Sequence, residues 1–342
     1  MKRFSSRFSL LTAVLLLLNI YCVNAQLFYS NSANIKINGG GNVYVNGGVM
    51  LDNNTTFINE GELSVRNDLT SGNLTINNNS SLSGNGDYRI EKDWINNANF
   101  VQGNSRVFLD GSGQLITGNV STIFHELNLL NASVKRQTLN SGIDITGTLN
   151  LNDCELATDQ FTMSVENPSP SSVTKFPGNA GFVSSLSIGN LTRATNQPVP
   201  YLLPTGSSLG NLIYRPVELK PADNSLNAFS VRLANNNATT DGYNISSFDV
   251  AVDCELNDKY YHLINRIVGS ANPDITIYHD PINDNFFNGI DQWNTPNVSI
   301  WNSLGLVTTL NNFGFSGITK QNWSNFSSKP YVLSVSYTHL RA

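Results

Sequence analysis

The stretch Ile35-Lys36-Ile37-Asn38-Gly39-Gly40-Gly41-Asn42-Val43-Tyr44-Val45-Asn46 holds two copies of one phrase, an alternating apolar triplet followed by Asn or Gly residues. The phrase recurs as far as Val165, in triplets that begin at Leu63, Leu74, Tyr88, Val107, Ile143 and Leu149. Because side chains alternate along a strand, the outer residues of each triplet point into a core and the central residue points to solvent.

Triplets this short favour a coil over a sandwich. Sandwich strands usually run about 5–6 residues, and shorter ones bury little surface when hairpins pair them. Stacking each strand on its counterpart one coil away extends a parallel ladder along an axis instead. Val43, Leu63 and Leu82 are 20 and 19 residues apart, which fits coils of about three strands.

The residues between triplets suit the corners of such coils. Gly and Asn accept left-handed backbone, and stacked Asn side chains can form hydrogen-bonded ladders. We therefore predict an all-β protein in which residues 26–196 form a parallel β-helix or β-solenoid. An irregular antiparallel roll is the alternative.

A solenoid has two open ends whose unpaired strand edges need covering. Residues 26–34 are the candidate cap for one end, and the following domain is the candidate for the other. From residue 197 to 334 the apolar segments are longer, richer in aromatic residues and separated by turn signals, which predicts an antiparallel β-sandwich. Pro168 and Pro170 are assigned to a loop within the repeat array, since the triplet rhythm resumes after them.

The first 25 residues have the features of a secretory signal peptide, namely the basic residues Lys2, Arg3 and Arg7, an apolar centre at Leu15 to Leu18 and small residues up to Ala25. Cleavage after Ala25 makes Gln26 the first residue of the mature chain. Cys22 raises lipoprotein processing as an alternative, which the large Tyr21 before it disfavours. No later apolar run approaches the roughly 18 residues of a membrane span. We expect a secreted or outer-membrane cell-surface protein without a transmembrane segment in the mature chain.

The low content of charged residues and the negative net charge limit the kinds of partner that the protein can bind. Charged residues make up 13% of the chain, about half of the usual ~25%. Without residues 1–25 and 335–342 the chain loses four basic residues and no acidic one, so its net charge falls from −5 to about −9. Such a charge disfavours nucleic acid or an anionic membrane as partner.

Two cysteines, Cys154 and Cys254, remain after removal of the signal, each inside the tetrapeptide Asp-Cys-Glu-Leu. An oxidising compartment permits a disulfide between them, and closing so long a loop stabilises by about 4–5 kcal/mol in the chain-entropy model. Two unpaired, buried thiols are the alternative.

Motifs of common enzymes are missing from the sequence: G-x-S-x-G, G-x-x-x-x-G-K and H-E-x-x-H. Asp87, Glu91 and Asp93 do lie beside Arg89 and Lys92 on one candidate strand and turn. Glycoside hydrolysis needs two carboxyl groups across a groove, about 5–9.5 Å apart. Alternation of acids with bases is more typical of ion pairs on a solvated strand, so we assign no catalytic residue.

A short loop at residues 280–285, Asp-Pro-Ile-Asn-Asp-Asn, offers several oxygen ligands. Calcium would suit such a loop, although its spacing differs from that of an EF-hand. A turn capped by its own Asp and Asn side chains is the alternative interpretation, and no other cofactor or metal is predicted.

Aromatic residues are concentrated near the end of the chain. Phe286 and Phe287 are adjacent, so on an extended backbone one of the two rings faces outward. Exposed rings of Phe286, Phe287 or Trp293 could stack on a sugar, whereas core packing is the other use of such rings.

Three groups of phrases carry a resemblance: Val107 to Gly118 with Phe124 to Leu127, Gly189 to Arg193, and Tyr201 to Gly206 with Arg215 to Val217. They resemble phrases in secreted surface proteins of the Bacteroidota that leave the cell by the type IX secretion system. Those proteins more often carry Phe and Val where this chain has Leu203 and Thr205. The resemblance covers about residues 35–333 and implies a modular, adhesin-like surface protein that normally ends in a sorting domain. It transfers no catalytic residue.

The last residues do not resemble that sorting domain. Residues 335–342 look like a translated sequencing adapter joined to the reading frame, so we expect the natural chain to continue past Ser334. The sequence as a whole predicts a non-catalytic structural or adhesin-like protein. Its expected partner is an extracellular glycan, matrix or another surface protein. A polysaccharide-active β-helix enzyme (lyase or hydrolase) and a carbohydrate-binding module are the alternatives.

Overall fold

A computed structural model describes residues 27–68, 71–131, 136–174, 181–185, 187–294, 299–312 and 314–336. The first part of this structure is a parallel β-solenoid of about seven turns, and the later part is antiparallel. The predicted all-β class and its parallel coil are therefore confirmed. The signal peptide, including Ala25 and Gln26, lies outside the described residues.

Each of the first four coils contributes three strands: β1 (Phe28–Asn31), β2 (Asn34–Ile37) and β3 (Asn42–Asn46); β4 (Val49–Asp52), β5 (Thr56–Asn59) and β6 (Glu62–Arg66); β7 (Leu74–Ile76), β8 (Ser81–Ser83) and β9 (Asp87–Ile90); β10 (Trp94–Asn96), β11 (Asn99–Val101) and β12 (Arg106–Leu109). The later coils contain β13 (Leu115–Thr117), β14 (Thr122–Leu129), β15 (Arg136–Leu139), β16 (Ile143–Asn150), β17 (Glu155–Ala157), β18 (Thr162–Val165), β19 (Val173–Thr174), β20 (Phe182–Ser184) and β21 (Asn190–Thr195).

Strands of successive coils stack in three parallel sheets. Sheet A runs β1-β4-β7-β10-β13-β15-β17-β20, sheet B runs β2-β5-β8-β11, and sheet C begins β3-β6-β9-β12-β14-β16-β18-β21. Val43 pairs with Leu63, as their spacing predicts, and Leu63 pairs with Tyr88. Leu82 lies in sheet B instead, so the prediction that it stacks in line with Val43 and Leu63 was wrong. Corners of unequal length cause this shift.

An aromatic cluster fills the interior where sheet B ends at β11. Trp94 packs edge-on against Phe100 and Phe124, with ring centroids 4.8 Å and 5.2 Å apart. All three rings are buried. They lie at the point where the coils of three short strands end and the next coil begins, which contains the eight-residue strand β14.

Corner residues behave as their chemistry predicts. Left-handed backbone is adopted at Asn53, Asn54, Asn78, Asn79, Asn131 and Asn152. Corner Asn side chains also bond between coils: Asn97 Nδ2 donates to Asn77 Oδ1 at 2.8 Å, and Asn97 Oδ1 accepts from the backbone N–H of Asn119 at 3.0 Å. The predicted ladders are thus present.

The two ends of the solenoid differ. Phe28–Asn31 is the first strand of sheet A and pairs with β4, so the described part of the predicted cap, residues 27–34, belongs to the first coil and the prediction of a separate cap was wrong. At the far end β21 pairs antiparallel with β26, with Leu191 opposite Val231. The antiparallel region closes that end, as predicted.

The antiparallel region contains β22 (Tyr201–Leu203), β23 (Gly206–Ser207), β24 (Ile213–Tyr214), β25 (Val217–Lys220), β26 (Asn227–Ala234), β27 (Asp253–Leu256), β28 (Tyr261–Val268), β29 (Asp274–His279), β30 (Gly289–Asn294), β31 (Ile300–Ser303), β32 (Thr308–Asn312), β33 (Phe315–Lys320) and β34 (Pro330–Ser336). Sheet C continues from β21 through β26-β28-β34-β30-β31, with β27 attached to β34, and sheet D runs β22-β25-β29-β33-β32. Apolar residues of both sheets share one core, an arrangement consistent with the predicted sandwich. Val335 and Ser336, assigned from the sequence to an appended tail, lie in β34.

A buried arginine ties the two regions together. Arg193 on β21 donates to the carbonyl oxygens of Leu202 at 2.6 Å and Pro170 at 2.5 Å, and stacks on the Tyr201 ring at 5.1 Å. Burial lowers the pKa of Arg193 to about 10, so it stays protonated at neutral pH. Its bonds hold the Pro168–Pro170 loop against the strand that begins the antiparallel region.

We predict that Gly61→Ala destabilises the protein. A Cβ atom at Gly61 would lie 2.0 Å from the carbonyl oxygen of Gly41 in the preceding coil. Forcing the coils apart should lower the free energy of unfolding by about 1–3 kcal/mol, the usual cost of overpacking. Urea titration followed by circular dichroism measures this. Gly142→Ala is the control, since its Cβ would meet its nearest atom at 3.4 Å. Equal stability of the two variants would contradict the prediction.

Candidate functional site

A cleft of about 450 Å³ opens where the last coil of the solenoid meets the antiparallel region. One side is formed by the segment after β20, and the other by β26, β28 and the connection that follows β26. The residues that line it include Ile188, Arg232, Asn236, Asp241, Tyr243 and Tyr261. Ile188 is 71% exposed, so the cleft combines an apolar edge with polar walls.

A short 3₁₀ turn, Ala238–Asp241, fixes one wall of the cleft. The side chain of Asn237 accepts a hydrogen bond from the backbone N–H of Thr239 at 2.8 Å and so caps the turn. Gly242, with φ of 89°, ends it. Asp241 at its end accepts hydrogen bonds from the Tyr261 hydroxyl and, at 3.1 Å, from Asn236 Nδ2. The carboxylate is therefore held in place before any ligand arrives.

Arg232 on β26 is the positive charge of the cleft. Its Nε atom is buried and has no hydrogen-bond partner in the part of the chain that the structure describes, where Arg232 also forms no ion pair. Carboxylate or carbonyl partners do engage Arg66, Arg89, Arg106, Arg193, Arg215 and Arg266. A buried donor left unpaired costs about 1–3 kcal/mol, so an anionic group at this position would be stabilised.

Aromatic rings support the cleft from behind. Tyr243 packs edge-on against Tyr261 at 6.0 Å and Trp293 at 5.7 Å, and Trp293 contacts Trp301 at 5.2 Å. Trp293 is only 5% exposed. Of the two uses considered for the Trp293 ring, the structure therefore shows core packing, and the ring contacts Tyr243, which does line the cleft.

The Phe286–Phe287 pair is divided as the alternation along an extended chain requires. Phe286 is 70% exposed, and Phe287 is 3% exposed and packs against His279 at 5.4 Å. One ring of the pair therefore faces outward, as predicted, and the ring of Phe287 belongs to the core. Phe286 does not line the cleft, so the structure does not bring the three predicted rings together.

The candidate calcium loop uses its oxygens internally. Both carboxylate oxygens of Asp284 accept from Arg215, at 2.6 Å and 2.8 Å, and one also accepts from the Tyr260 hydroxyl at 2.7 Å. Asp280 accepts from the backbone of Ile282 and Asn283. Among the residues described, no three His, Cys, Asp or Glu side chains are grouped as a metal site would need. The loop has the geometry of the capped turn considered from the sequence.

Acids on the solenoid face join neighbouring coils. Arg66 bonds to Glu91 at 2.7 Å and Asp110 at 3.2 Å, while Arg106 bonds to Asp87 at 2.6 Å. The second oxygen of Glu91 accepts from the backbone N–H of Asn67 at 2.8 Å. These bonds fit the predicted surface ion pairs, although Glu91, Asp110 and Lys92 also line a shallow depression of about 230 Å³.

No disulfide joins Cys154 and Cys254. Cys154 is buried in the solenoid, and Cys254 is exposed on β27. The disulfide that the sequence permitted is therefore not formed, because the two residues lie in separate regions. Burial of both thiols, the alternative, holds for Cys154 alone.

No protein-family model, curated protein or solved structure matches this chain. The likeness to type IX-exported surface proteins accordingly stays a prediction from the sequence. Within the described ranges, no helix has the length and apolar character needed to cross a membrane.

A buried carboxyl pair was missed from the sequence. Asp253 on β27 and Asp291 on β30 are at most 1% exposed, and the two side chains interact. Burial, together with the neighbouring Asp253, raises the pKa of Asp291 to about 8, although its hydrogen bond from Ser334 acts in the opposite direction. Asp291 is thus protonated at neutral pH and can share its proton with Asp253.

We predict that Asp291→Asn stabilises the protein near pH 8. In the unfolded chain an aspartate loses its proton near pH 4, whereas folded Asp291 keeps it to about pH 8. The folded state therefore binds more protons, and its stability falls as the pH rises from 4 to 8. The variant should lose less stability over that range, in urea titrations at each pH. Asp258→Asn, which removes one exposed acid, is the control, and identical pH profiles for Asp291→Asn and the wild type would refute the idea.

We also predict opposite outcomes for two aromatic truncations. Trp293→Ala should lower the free energy of unfolding by about 3–5 kcal/mol, because it empties a packed ring site. Phe286→Ala, which removes an exposed ring, should change it by less than about 0.5 kcal/mol. Thermal and urea unfolding of both variants would test this, and a stable Trp293→Ala protein would contradict the packing described.

Proposed function

We propose that this protein is a secreted, cell-surface structural or adhesin-like protein that binds an acidic glycan in the junction cleft without chemical turnover. The observation that supports it most directly is the buried Nε of Arg232, which has no hydrogen-bond partner among the described residues and belongs to a cleft that also presents amide, carboxylate and tyrosine groups. Ligand sites generally combine an apolar surface with a few convergent polar groups in this way.

Each wall of the cleft matches one part of a sugar acid. The guanidinium of Arg232 can pair with a carboxylate through two parallel hydrogen bonds. Asp241 and Asn236 are held by their mutual bond and can meet sugar hydroxyls, and the Tyr243 ring offers a face for the apolar side of a pyranose. A neutral glycan would leave Arg232 unpaired, which favours the acidic class.

The acid groups of the cleft favour binding over hydrolysis. Hydrolysis of a glycosidic bond needs two carboxyl groups that face each other across the substrate. Asp241 is the carboxylate among the described lining residues, and it already accepts two hydrogen bonds. The enzyme interpretation is therefore the weaker of the two.

The scaffold supports a mechanical role. Sheet C is continuous from the solenoid into the antiparallel region, because β21 pairs with strands on both of its sides. A ligand held at the junction is thus connected to a long hydrogen-bonded support. Export by the predicted signal peptide and the type IX route, with a final position at the cell surface, completes the proposal.

The proposal predicts that Arg232→Gln weakens binding to acidic glycans. The chain from Gln26 onward would be applied to arrayed glycans that carry uronate or sialate, and to the same glycans after carboxyl reduction. A charge-assisted hydrogen bond contributes about 1.5–3 kcal/mol, so the variant should bind about tenfold more weakly or worse. Arg89→Gln removes one positive charge from the solenoid face and should bind like the wild type.

Turnover is measured on the bound glycans in parallel, as release of reducing ends and of unsaturated uronate. We expect retention without cleavage. Equal binding of acidic and carboxyl-reduced glycans would show that Arg232 does not recognise the glycan carboxylate. Cleavage that a single acidic substitution abolishes would replace the adhesive function with an enzymatic one.

A further inference from the structure

The first coil leaves one end of the solenoid open. Strands β1, β2 and β3 are the terminal strands of sheets A, B and C, and their outer edges are unpaired among the described residues. Val43 on β3 is 38% exposed, whereas its partner Leu63 one coil inward is 1% exposed. Phe28 on β1 is exposed as well. Both unpaired backbone groups and core side chains therefore reach solvent at this end.

The backbone of β3 presents a defined set of groups outward. Gly41 accepts at its carbonyl oxygen from Glu62 at 2.8 Å, and the N–H of Gly47 donates to Arg66 at 2.8 Å. Alternate residues of a strand direct their N–H and C=O groups to opposite sides. Residues 41, 43, 45 and 47 therefore face β6, and the backbone groups of Asn42, Tyr44 and Asn46 face away from the sheet.

The sequence of β3, Asn-Val-Tyr-Val-Asn, is the same in both directions. We propose that the open end docks on a second copy of this chain, with the two β3 strands antiparallel about Tyr44. In that register Tyr44 lies opposite the partner's Tyr44, and Val43 lies opposite the partner's Val45. Because opposed residues share a face, the valines continue the core and the tyrosines meet on the outside.

This register also matches the outward-facing backbone groups. Tyr44 would exchange two hydrogen bonds with the partner's Tyr44, and Asn42 would exchange two with the partner's Asn46. The strand carries no charge, so its pairing with itself involves no like-charge repulsion. A two-fold axis through Tyr44 thus satisfies an edge that would otherwise invite uncontrolled association.

The other two edges are complementary under the same axis. Consider a two-fold axis that is perpendicular to the solenoid axis and relates β3 of one copy to β3 of the other. The same axis would place β2 of each copy along β1 of its partner. Lys36 is the charged residue of these two strands and is exposed. Asp52 lies beside β1, where its carboxylate accepts from the Tyr29 hydroxyl at 3.0 Å. Lys36 of each copy would therefore lie on the strand next to the partner's β1, with the partner's Asp52 carboxylate one strand further in.

A second copy fits this end better than a preceding part of the same chain. The sequence of β3 reads the same in both directions, which a second copy in the antiparallel register matches residue for residue. The open end also lies at the opposite end of the solenoid from the junction cleft. A dimer would leave both clefts free, so it could bind two glycans at once.

The inference is tested by register-specific cross-linking of the chain from Gln26 onward. Tyr44→Cys is made with Cys254→Ser, which removes the exposed thiol. Directly opposed, hydrogen-bonded residues of antiparallel strands have Cα atoms about 5.5 Å apart, a separation that a disulfide spans. Under mild oxidation Tyr44→Cys should form a covalent dimer by itself. Asn42→Cys should do so only when it is mixed with Asn46→Cys.

A second pair of variants tests the non-covalent dimer. Sedimentation of the wild type should show a dimer, and Tyr44→Phe should keep it because the backbone donors remain. Tyr44→Pro removes an N–H that faces outward and leaves the bonds to β6 intact, so it should give a folded monomer. Circular dichroism of each variant confirms folding. A monomeric wild type, or efficient cross-linking of Asn42→Cys alone, would overturn the proposal. Loss of glycan binding by Arg232→Gln does not bear on it.

Discussion

The structure depends on the fixed distance between stacked strands. Neighbouring strands of a sheet lie about 4.8 Å apart, so every coil must follow the path of the coil before it. The corners show how tight this constraint is, because a Cβ at Gly111 would lie 1.6 Å from the Glu91 carbonyl oxygen of the preceding coil. Backbone bonds, Asn ladders and inter-coil ion pairs all follow from that single repeat. Each coil is stabilised mainly by its neighbours, as in other repeat proteins.

The repeat was predictable from the sequence, but the register was only partly so. Alternating triplets specify strands and an inward face, and Asn-rich corners specify the turns between them. The sheet to which a strand belongs depends on the lengths of the corners before it, and these lengths vary. Val107 follows its partner Tyr88 by 19 positions, whereas Leu191 follows its partner Met163 by 28. Periodicity in the sequence cannot place Leu82 under such variation. The first strand was likewise mistaken for a cap because its residues, Phe28–Asn31, lack a clear triplet.

The candidate site could not be predicted, since its residues come from distant parts of the chain. Ile188, Arg232, Asp241 and Tyr261 belong to different connections and strands, and no motif links them. The aromatic content near the end of the chain was a real signal. It identified Trp293, which supports the cleft through Tyr243, but composition does not reveal which ring faces solvent. The Asp253 and Asp291 pair exists only through the pairing of β27 and β30 with β34.

The position of β34 has a consequence for the order of assembly. This strand is the last one described in the chain, yet it lies between β28 and β30 and also pairs with β27. The solenoid can wind up from its first coil as the polypeptide emerges, since each turn needs only the one before it. The antiparallel region has to wait for β34, with the edges of β28 and β30 open until then. The sheet of the second region can therefore close only after the last described strand has been synthesised, whereas each coil ahead of it can form as soon as its own residues are complete.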